Sequence, residues 1–321
     1  MNIALILKGA AMGIAEAIPG VSGGTLAFIT GIYEELLQTI KSITPANLKL
    51  VLTDRKAFWK AINGSFLLML LIGMVGGIVV GVLVISHMLE NSKEILWSLF
   101  FGLVAASAIY LGRDVKWDIK NIGLAIIGAV ITYFITMISP VEGSDNPLYI
   151  FFAGAIAISA LMLPGISGSF ILLILGLYDK IINGLKALIS EQDFSQLLTL
   201  IIFGLGVLTG LFTFARLLSW LFKKYHNPTM ALMIGVLIGS LNKLWPWKKI
   251  LTAMDKSSGK ISEINNTILP DADNWKILTE TNLMPGDYSI FSSPQTLACI
   301  IALAIGAGIV GLLSTLDKRE A

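Results

Sequence analysis

The sequence predicts an all-α polytopic membrane protein built from two inverted repeats, each a broken or re-entrant helix pair followed by three transmembrane helices. Three observations predict it. First, 55% of the 321 residues are hydrophobic and only 14% are charged, with a mean hydropathy of +0.80, whereas soluble domains carry about 25% charged residues. Second, six apolar runs approach the length of about 20 residues that a helix needs to span a bilayer. Third, a Pro-Gly-x-Ser-Gly kernel occurs twice, each time inside an apolar region.

The elements follow in chain order. Residues 3–40 are apolar but split by the first kernel, so they read as helix, break, helix. Proline removes a backbone donor and clashes with the preceding turn, and the adjoining glycines add freedom that a helix would have to freeze. The N-terminal stretch MNIALILKGAAMGIAEA has the outline of a cleaved leader. Lys8 interrupts its apolar run, and a matching stretch recurs mid-chain, so it reads instead as part of the broken element. Spans follow at 64–89, 95–111 and 121–139. The second broken region, 148–189, precedes spans at 197–222, 229–244 and 295–316. Between the last two lies a polar segment, 246–293, rooted at Trp245, Pro246 and Trp247. Tryptophan anchors at membrane interfaces, so this segment reads as a partly ordered external loop.

The two breaks repeat each other. PGVSGGTLAFITGIYEELL (19–37) aligns without gaps to PGISGSFILLILGLYDKII (164–182), and seven of nineteen positions coincide, including Gly31 with Gly176 and Tyr33 with Tyr178. FGLVAAS (101–107) matches IGVLIGS (234–240) at nearly the same offset. The repeats are therefore 1–145 and 146–321. Three spans separate the broken regions, so re-entrant breaks would give the halves opposite orientation, the mark of secondary transporters with discontinuous helices. Charge agrees. One side collects Lys41, Lys49, Arg55, Lys56, Lys60, Arg113, Lys116, Lys120, Lys223, Lys224, Lys318 and Arg319. The positive-inside rule puts that side, and both termini, in the cytoplasm.

Irregular backbone at membrane depth is tolerated where it is buried or lines a wet cavity. A helix restarting there presents free N–H groups and a positive dipole end, which suit phosphate and carboxylate groups. Hydroxyls decorate both restarts: Ser22 and Thr25 in the first, Ser167 and Ser169 in the second. Gly20, Gly23, Gly24, Gly165 and Gly168, with Pro19 and Pro164, let a ligand approach the main chain. The bland alternative is that these small residues only permit close helix packing. Glu16 precedes the first kernel, and the position 145 residues later is Leu161, so this carboxylate is outside the shared frame. It reads either as an ion-coupling or gating group or as a partner for broken backbone. Arg216, inside span 197–222, reads as a partner of a phosphate or of Glu16, or as a snorkelling cation. Asn242 and Lys243 lie at the outer end of span 229–244, where they either attract an anionic headgroup from outside or are ordinary interfacial residues. Tyr33 and Tyr178 read as interface anchors.

Other chemistries find little support. A net charge of +2 gives nucleic acid no basic face to bind. One cysteine, Cys299, and two histidines, His87 and His226, leave no metal-ligand cluster. There is no phosphate-loop motif and no nucleophile–base arrangement, so neither an enzyme nor a cofactor is expected.

EAIPGVSGGTLAFITGIYEEL (16–36), LMLPGISGSFILLILGLYDKI (161–181) and GSLNKLWPWK (239–248) resemble the polyprenyl-phosphate transporter family of bacterial membranes, and the resemblance runs over nearly the whole chain outside the 246–293 loop. It implies return of undecaprenyl phosphate from the outer to the inner leaflet of the cytoplasmic membrane, recycling the lipid carrier of peptidoglycan synthesis. The partners implied are that lipid, the surrounding membrane and a proton or other ion. The kernels 19–25 and 164–169 would hold the phosphate, with Glu16 and Arg216 beside them. Two alternatives remain: a small-anion secondary transporter using the same kernels, and a membrane enzyme acting on polyprenyl phosphates. A lipid-facing slot would favour the lipid substrate, and release of inorganic phosphate would favour the enzyme.

Overall fold

The computed structural model describes residues 2–16, 22–255, 260–267, 269 and 274–317. Pro19 and Gly20 lie outside the described residues. The chain is a polytopic helical membrane protein. The first broken region forms α1 (Ile3–Glu16), α2 (Gly23–Ile29) and α3 (Tyr33–Ser42). Two short helices, α4 (Pro45–Thr53) and α5 (Arg55–Ala61), lead to α6 (Gly64–Asn91), α7 (Lys93–Gly112) and α8 (Ile119–Met137). The second broken region forms α9 (Pro147–Met162), α10 (Gly168–Ile174) and α11 (Tyr178–Lys186), continued by a π-helical turn over Ala187–Glu191. Then come α12 (Leu197–Lys224) and α13 (His226–Ser240), strands β1 (Lys248–Asp255), β2 (Ile261–Asn266) and β3 (Trp275–Asn282), and helices α14 (Pro285–Tyr288) and α15 (Thr296–Asp317).

Each broken region contains a second interruption that the helix–break–helix expectation lacks. α2 ends where Gly31 takes φ 73° and α10 ends where Gly176 takes φ 66°. In both, the N–H groups after the helix turn back on its last carbonyls: Ile32 to Ala27 (3.1 Å) and Gly31 to Phe28 (3.3 Å), Leu177 to Leu172 and Gly176 to Leu173 (3.0 Å each). This is the Schellman closure, and glycine supplies the left-handed residue it requires. The repeated glycines therefore end a helix.

The spans fall close to expectation, with one shift. α13 begins at His226, three residues earlier than expected, because Pro228 sits in its first turn, where an N–H has no intrahelical partner anyway. It also ends early, at Ser240, which leaves 15 residues, about 22 Å of helix. Ten of its residues are buried, so it is an interior helix. The outer helices show the opposite pattern. Val75 on α6 is 62% exposed and Leu198 on α12 is 69% exposed. Apolar faces of this extent are solvated by lipid.

Four helix pairs organise the bundle: α1 with α6, α9 with α12, α7 with α15, and α8 with α13. Small residues set their separation. Gly73 and Gly77 of α6 press on Ile6 and Ala10 of α1, and Gly206 and Gly210 of α12 press on Phe151 and Ala155 of α9. A side chain at any of these would collide with the partner's main chain. Gly102 of α7 meets Leu303 of α15, while Gly235 of α13 meets Ala125 of α8. Gly73 and Gly206, Gly77 and Gly210, and Gly102 and Gly235 are each separated by 133 residues.

The helix ends sort into two groups. At one end, Asn63 donates to Glu35 (2.9 Å), His226 meets Glu34 (3.2 Å), and the Lys116 N–H donates to Asn227 (3.2 Å). Lys41, Lys223 and the α4–α5 segment, with Arg55, Lys56 and Lys60, belong to this basic end. At the other end, the Val141 N–H donates to the Ile174 carbonyl (2.9 Å), Asn242 donates to Thr136 (2.7 Å), and Lys93 donates to the Thr267 carbonyl (2.6 Å). The 246–293 segment sits there, and the loop expected from its polarity carries strands on the otherwise helical bundle. They form a three-stranded antiparallel sheet in the order β2-β1-β3. The strands are short and rich in lysine, threonine and asparagine, so composition marks them only as polar.

Candidate functional site

The two broken regions enter from opposite ends and meet inside the bundle. In the first, α2 returns alongside α1: Ile32 and Glu35 lie beside Leu5 and Lys8 near the basic end. In the second, α10 returns alongside α9, and Tyr149 near the start of α9 donates to the Leu175 carbonyl (2.8 Å) at the end of α10. Each region is thus a hairpin with its kernel at the tip.

Among the described residues two hydrogen bonds join the kernels, and a third ties the start of α3 to the second kernel. The Ser22 hydroxyl donates to the Leu161 carbonyl (2.9 Å), the Gly165 N–H donates to the Thr25 hydroxyl oxygen (2.8 Å), and the Tyr33 hydroxyl donates to the Met162 carbonyl. Ser22, Thr25 and Tyr33 are almost wholly buried, at 0%, 1% and 3% exposure. α9 ends at Met162, so its last carbonyls have no partners within the helix. The first hairpin supplies them. Tyr33 is therefore a cross-link between hairpins, where its sequence reading was an interface anchor. Gly165 makes the contact possible: its φ of 92° is a glycine conformation, and a side chain there would strike Ser240 of α13.

The kernels differ in how their own amides are satisfied. Ser22 caps α2 by accepting from the Gly24 N–H (3.1 Å), and Glu16 accepts from the Gly23 N–H (2.7 Å). A carboxylate of the chain itself thus occupies the first restart, the second of the two roles that the sequence leaves open for Glu16. Among the described residues the second restart has no such occupant. Leu161 stands at the matching position, and Ser167 makes no capping hydrogen bond to α10. Ser167 and Ser169 pair with each other, oxygen to oxygen at 2.7 Å. Pro164, Ser167 and Gly168 are buried and Ser169 is exposed. Gly168 packs against Ala157 and Leu161 of α9, and Gly24 packs against Leu161, so the glycines bring the kernels together as well as opening them.

Arg216 does not join this group. It is exposed on α12 and makes no hydrogen bond or ion pair among the described residues. Two clefts open at the basic end, away from the kernels: one of 580 Å³ between α3 and α12, lined by Glu34, Lys41, Ser42, Ser219 and Lys223, and one of 320 Å³ beside Lys8, Glu35 and Asn63. Among the described residues no group of His, Cys, Asp and Glu can hold a metal ion.

At the sheet end lies a charged group that sequence spacing does not reveal. Lys243 contacts Glu280 of β3 (3.0 Å), Lys248 of β1 lies 3.8 Å from the same oxygen, and Lys93 of α7 is close by. Burial pushes the Lys248 ammonium down to about 8, against the upward pull of Glu280. Burial would raise Glu280, but Lys248 and Lys243 outweigh it and hold the carboxyl at about 2. Lys93 and Glu280 lie nearly 190 residues apart in sequence, and only Lys243 and Lys248 fall in a recognisable motif.

Residues 12–262 match the family described as undecaprenyl phosphate translocase-like. A polyprenyl-phosphate transporter of Vibrio cholerae serotype O1 is 37% identical over 317 residues, covering 97% of this chain and 96% of the relative. A polyprenyl-phosphate transporter of Staphylococcus aureus is 30% identical over 256 residues, covering 75% of this chain and 85% of the relative. No solved structure matches. With a family match across both kernels and a relative aligned over nearly its whole length, the chain belongs to the undecaprenyl phosphate translocase-like family.

Proposed function

We propose that this protein carries a polyprenyl phosphate across the bacterial cytoplasmic membrane, from the outer to the inner leaflet, returning undecaprenyl phosphate for a further round of cell-wall synthesis. The observation that carries the reading is the junction of the two kernels. Two hairpins entered from opposite ends share hydrogen bonds at their tips, so a headgroup held there is a short step from either leaflet. Phosphate brings a charge of about −1.5 to −2 and three acceptor oxygens. In this reading the head binds at the second kernel, on Ser169, Ser167 and the first amides of α10, where no carboxylate competes. Glu16 holds the corresponding place in the first kernel and gates it, by leaving Gly23 when a head arrives. Arg216, two turns from the basic end of α12, is the cation that the head meets on its way out. The isoprenoid tail stays among the lipids along the exposed apolar faces.

We further propose that residues 1–145 and 146–321 are inverted repeats, with both termini and the basic end in the cytoplasm. The recurring 133-residue glycine spacing supports this. So does the exchange of partners: α7 and α13 match in sequence, and each packs on the last span of the opposite half. The basic end then obeys the positive-inside rule, and the sheet is external. An ion gradient would enter through Glu16.

The test is leaflet-resolved transport of labelled undecaprenyl phosphate in vesicles, with and without a proton gradient. Protein-dependent movement between leaflets is expected. Movement no faster than in protein-free vesicles would refute the reading, and release of inorganic phosphate would point to an enzyme.

A further inference from the structure

The sheet end holds a surplus of buried positive charge. Lys248 keeps only 10% of its side chain exposed, Lys243 28% and Glu280 21%. The Lys248 ammonium donates to the Lys243 carbonyl (2.6 Å), and Lys93 donates to the Thr267 carbonyl (2.6 Å). Lys243 lies over the ring of Phe170 at 5.2 Å, and Lys248 lies over Trp97 at 4.9 Å. Three ammonium groups thus face one carboxylate among the described residues. Glu94, next to Lys93, accepts from the Tyr288 hydroxyl, a neutral donor that leaves its negative charge in place. Desolvating a charge without a partner is costly. An ordinary ionic clamp between sheet and bundle would balance its charges, whereas among the described residues this group stays net positive even with Glu94 counted. Burial pushes Lys248 down to about 8, with Glu280 opposing the shift and Lys243 and Lys93 adding to it.

Location gives the surplus a use. Phe170 directly follows Ser169 of the second kernel, and Gly165 packs against Ser240, three residues before Lys243. The cluster therefore stands over the mouth of the second hairpin, on the side from which that hairpin is entered.

We propose that Lys93, Lys243 and Lys248 form a docking site for a phosphate monoester dianion, which waits there before passing over Phe170 to the second kernel. This rests on the transport reading above and adds the outer capture step. The net positive charge of the group suits the charge of about −2 on the phosphate. Glu280 fixes the geometry of Lys243 and Lys248 and holds the empty site together. A head arriving on a lipid and a free phosphate monoester would be recognised by the same groups.

Two substitutions of opposite sign test this on the full-length protein in nanodiscs. Binding of a short-chain polyprenyl phosphate and of inorganic phosphate is measured by calorimetry, beside thermal unfolding. Lys243→Gln is expected to weaken binding of the polyprenyl phosphate about tenfold, in line with loss of one charged hydrogen bond. Glu280→Gln removes the competing anion and is expected to bind at least as tightly as wild type. An ionic clamp predicts otherwise: in both variants binding falls only in step with stability. Equal affinity in wild type and Lys243→Gln, or parallel losses in both variants, would overturn the proposal. Should Glu280→Gln fail to fold, Lys93→Gln replaces it, and unchanged affinity there as well as in Lys243→Gln would be the refutation. Competition by inorganic phosphate would show that the head alone is recognised; binding of the polyprenyl phosphate alone, still sensitive to Lys243, would show that the tail is needed. A wild-type protein that binds phosphate through Lys243 yet moves no lipid between leaflets would sink the transport reading and leave this site standing.

Discussion

Ser22 and Ser169 look alike in sequence, each a hydroxyl in a glycine kernel, and the structure gives them different work. Ser22 is wholly buried, caps α2 through Gly24 and donates to Leu161 across the hairpin junction. Ser22→Ala loses both bonds and leaves buried main-chain groups unpaired. Loss of an N-cap costs about 1 kcal/mol, and a stranded buried acceptor costs about 1–3 kcal/mol. The expected destabilisation is therefore about 2–4 kcal/mol. Ser169 is exposed and, among the described residues, bonds only to Ser167, so Ser169→Ala should change stability by about 0.5 kcal/mol or less. Its effect belongs to the ligand: losing one donor to a phosphate should weaken binding about tenfold. Thermal unfolding of each purified variant, set beside its affinity for a polyprenyl phosphate, separates the two. Wild-type stability in Ser22→Ala would refute the cross-linking role. Unfolding of Ser169→Ala at as low a temperature as Ser22→Ala would refute the division of labour between kernels.

Three further outcomes follow from the same geometry. Thr25→Val keeps the shape but strands the Gly165 N–H; it should unfold about 1–3 kcal/mol more easily, and Thr25→Ser should restore most of the loss, as thermal unfolding would report. Glu16→Gln keeps an acceptor for Gly23 and removes the charge, so the protein should stay folded while its transport rate changes its dependence on pH; an unaltered profile would remove Glu16 from gating. At the sheet end, Glu280 titrates at about 2 when folded, below its ordinary value of 4.5. A depressed carboxyl contributes stability above the unfolded value and loses it as pH falls towards the folded one. Attachment of the sheet should therefore weaken between about pH 4.5 and pH 2, visible in tryptophan fluorescence, and Glu280→Gln should flatten that change.

Much of the architecture was legible because bilayer physics writes on composition and period. Apolar runs of fixed length gave α6, α7, α8, α12 and α15, and proline with glycine gave the two breaks. The repeated Gly31 and Gly176 were visible as matches, but their role as helix stops depends on φ, which a residue name alone does not reveal. Tyr33 was misread for a related reason: an interfacial tyrosine and one that bonds a broken helix end have the same local surroundings in sequence. Glu16 carried two readings until its distance from Gly23 was known. The β-sheet escaped notice because its strands are polar and its register depends on pairing between distant segments. The lysine cluster is the extreme case, assembled from α7, the end of α13 and two strands.

A headgroup seated on the second kernel that displaces Glu16 from Gly23 lies against both kernels at once. A polyprenyl phosphate bearing a photoreactive group beside its phosphate, incorporated into vesicles with the full-length protein and mapped by peptide sequencing after illumination, addresses it directly. Crosslinks should fall within 164–170 and 22–25, with competition by unlabelled polyprenyl phosphate. Crosslinks confined to the outer faces of α6 and α12, or to α4 and α5, would contradict it.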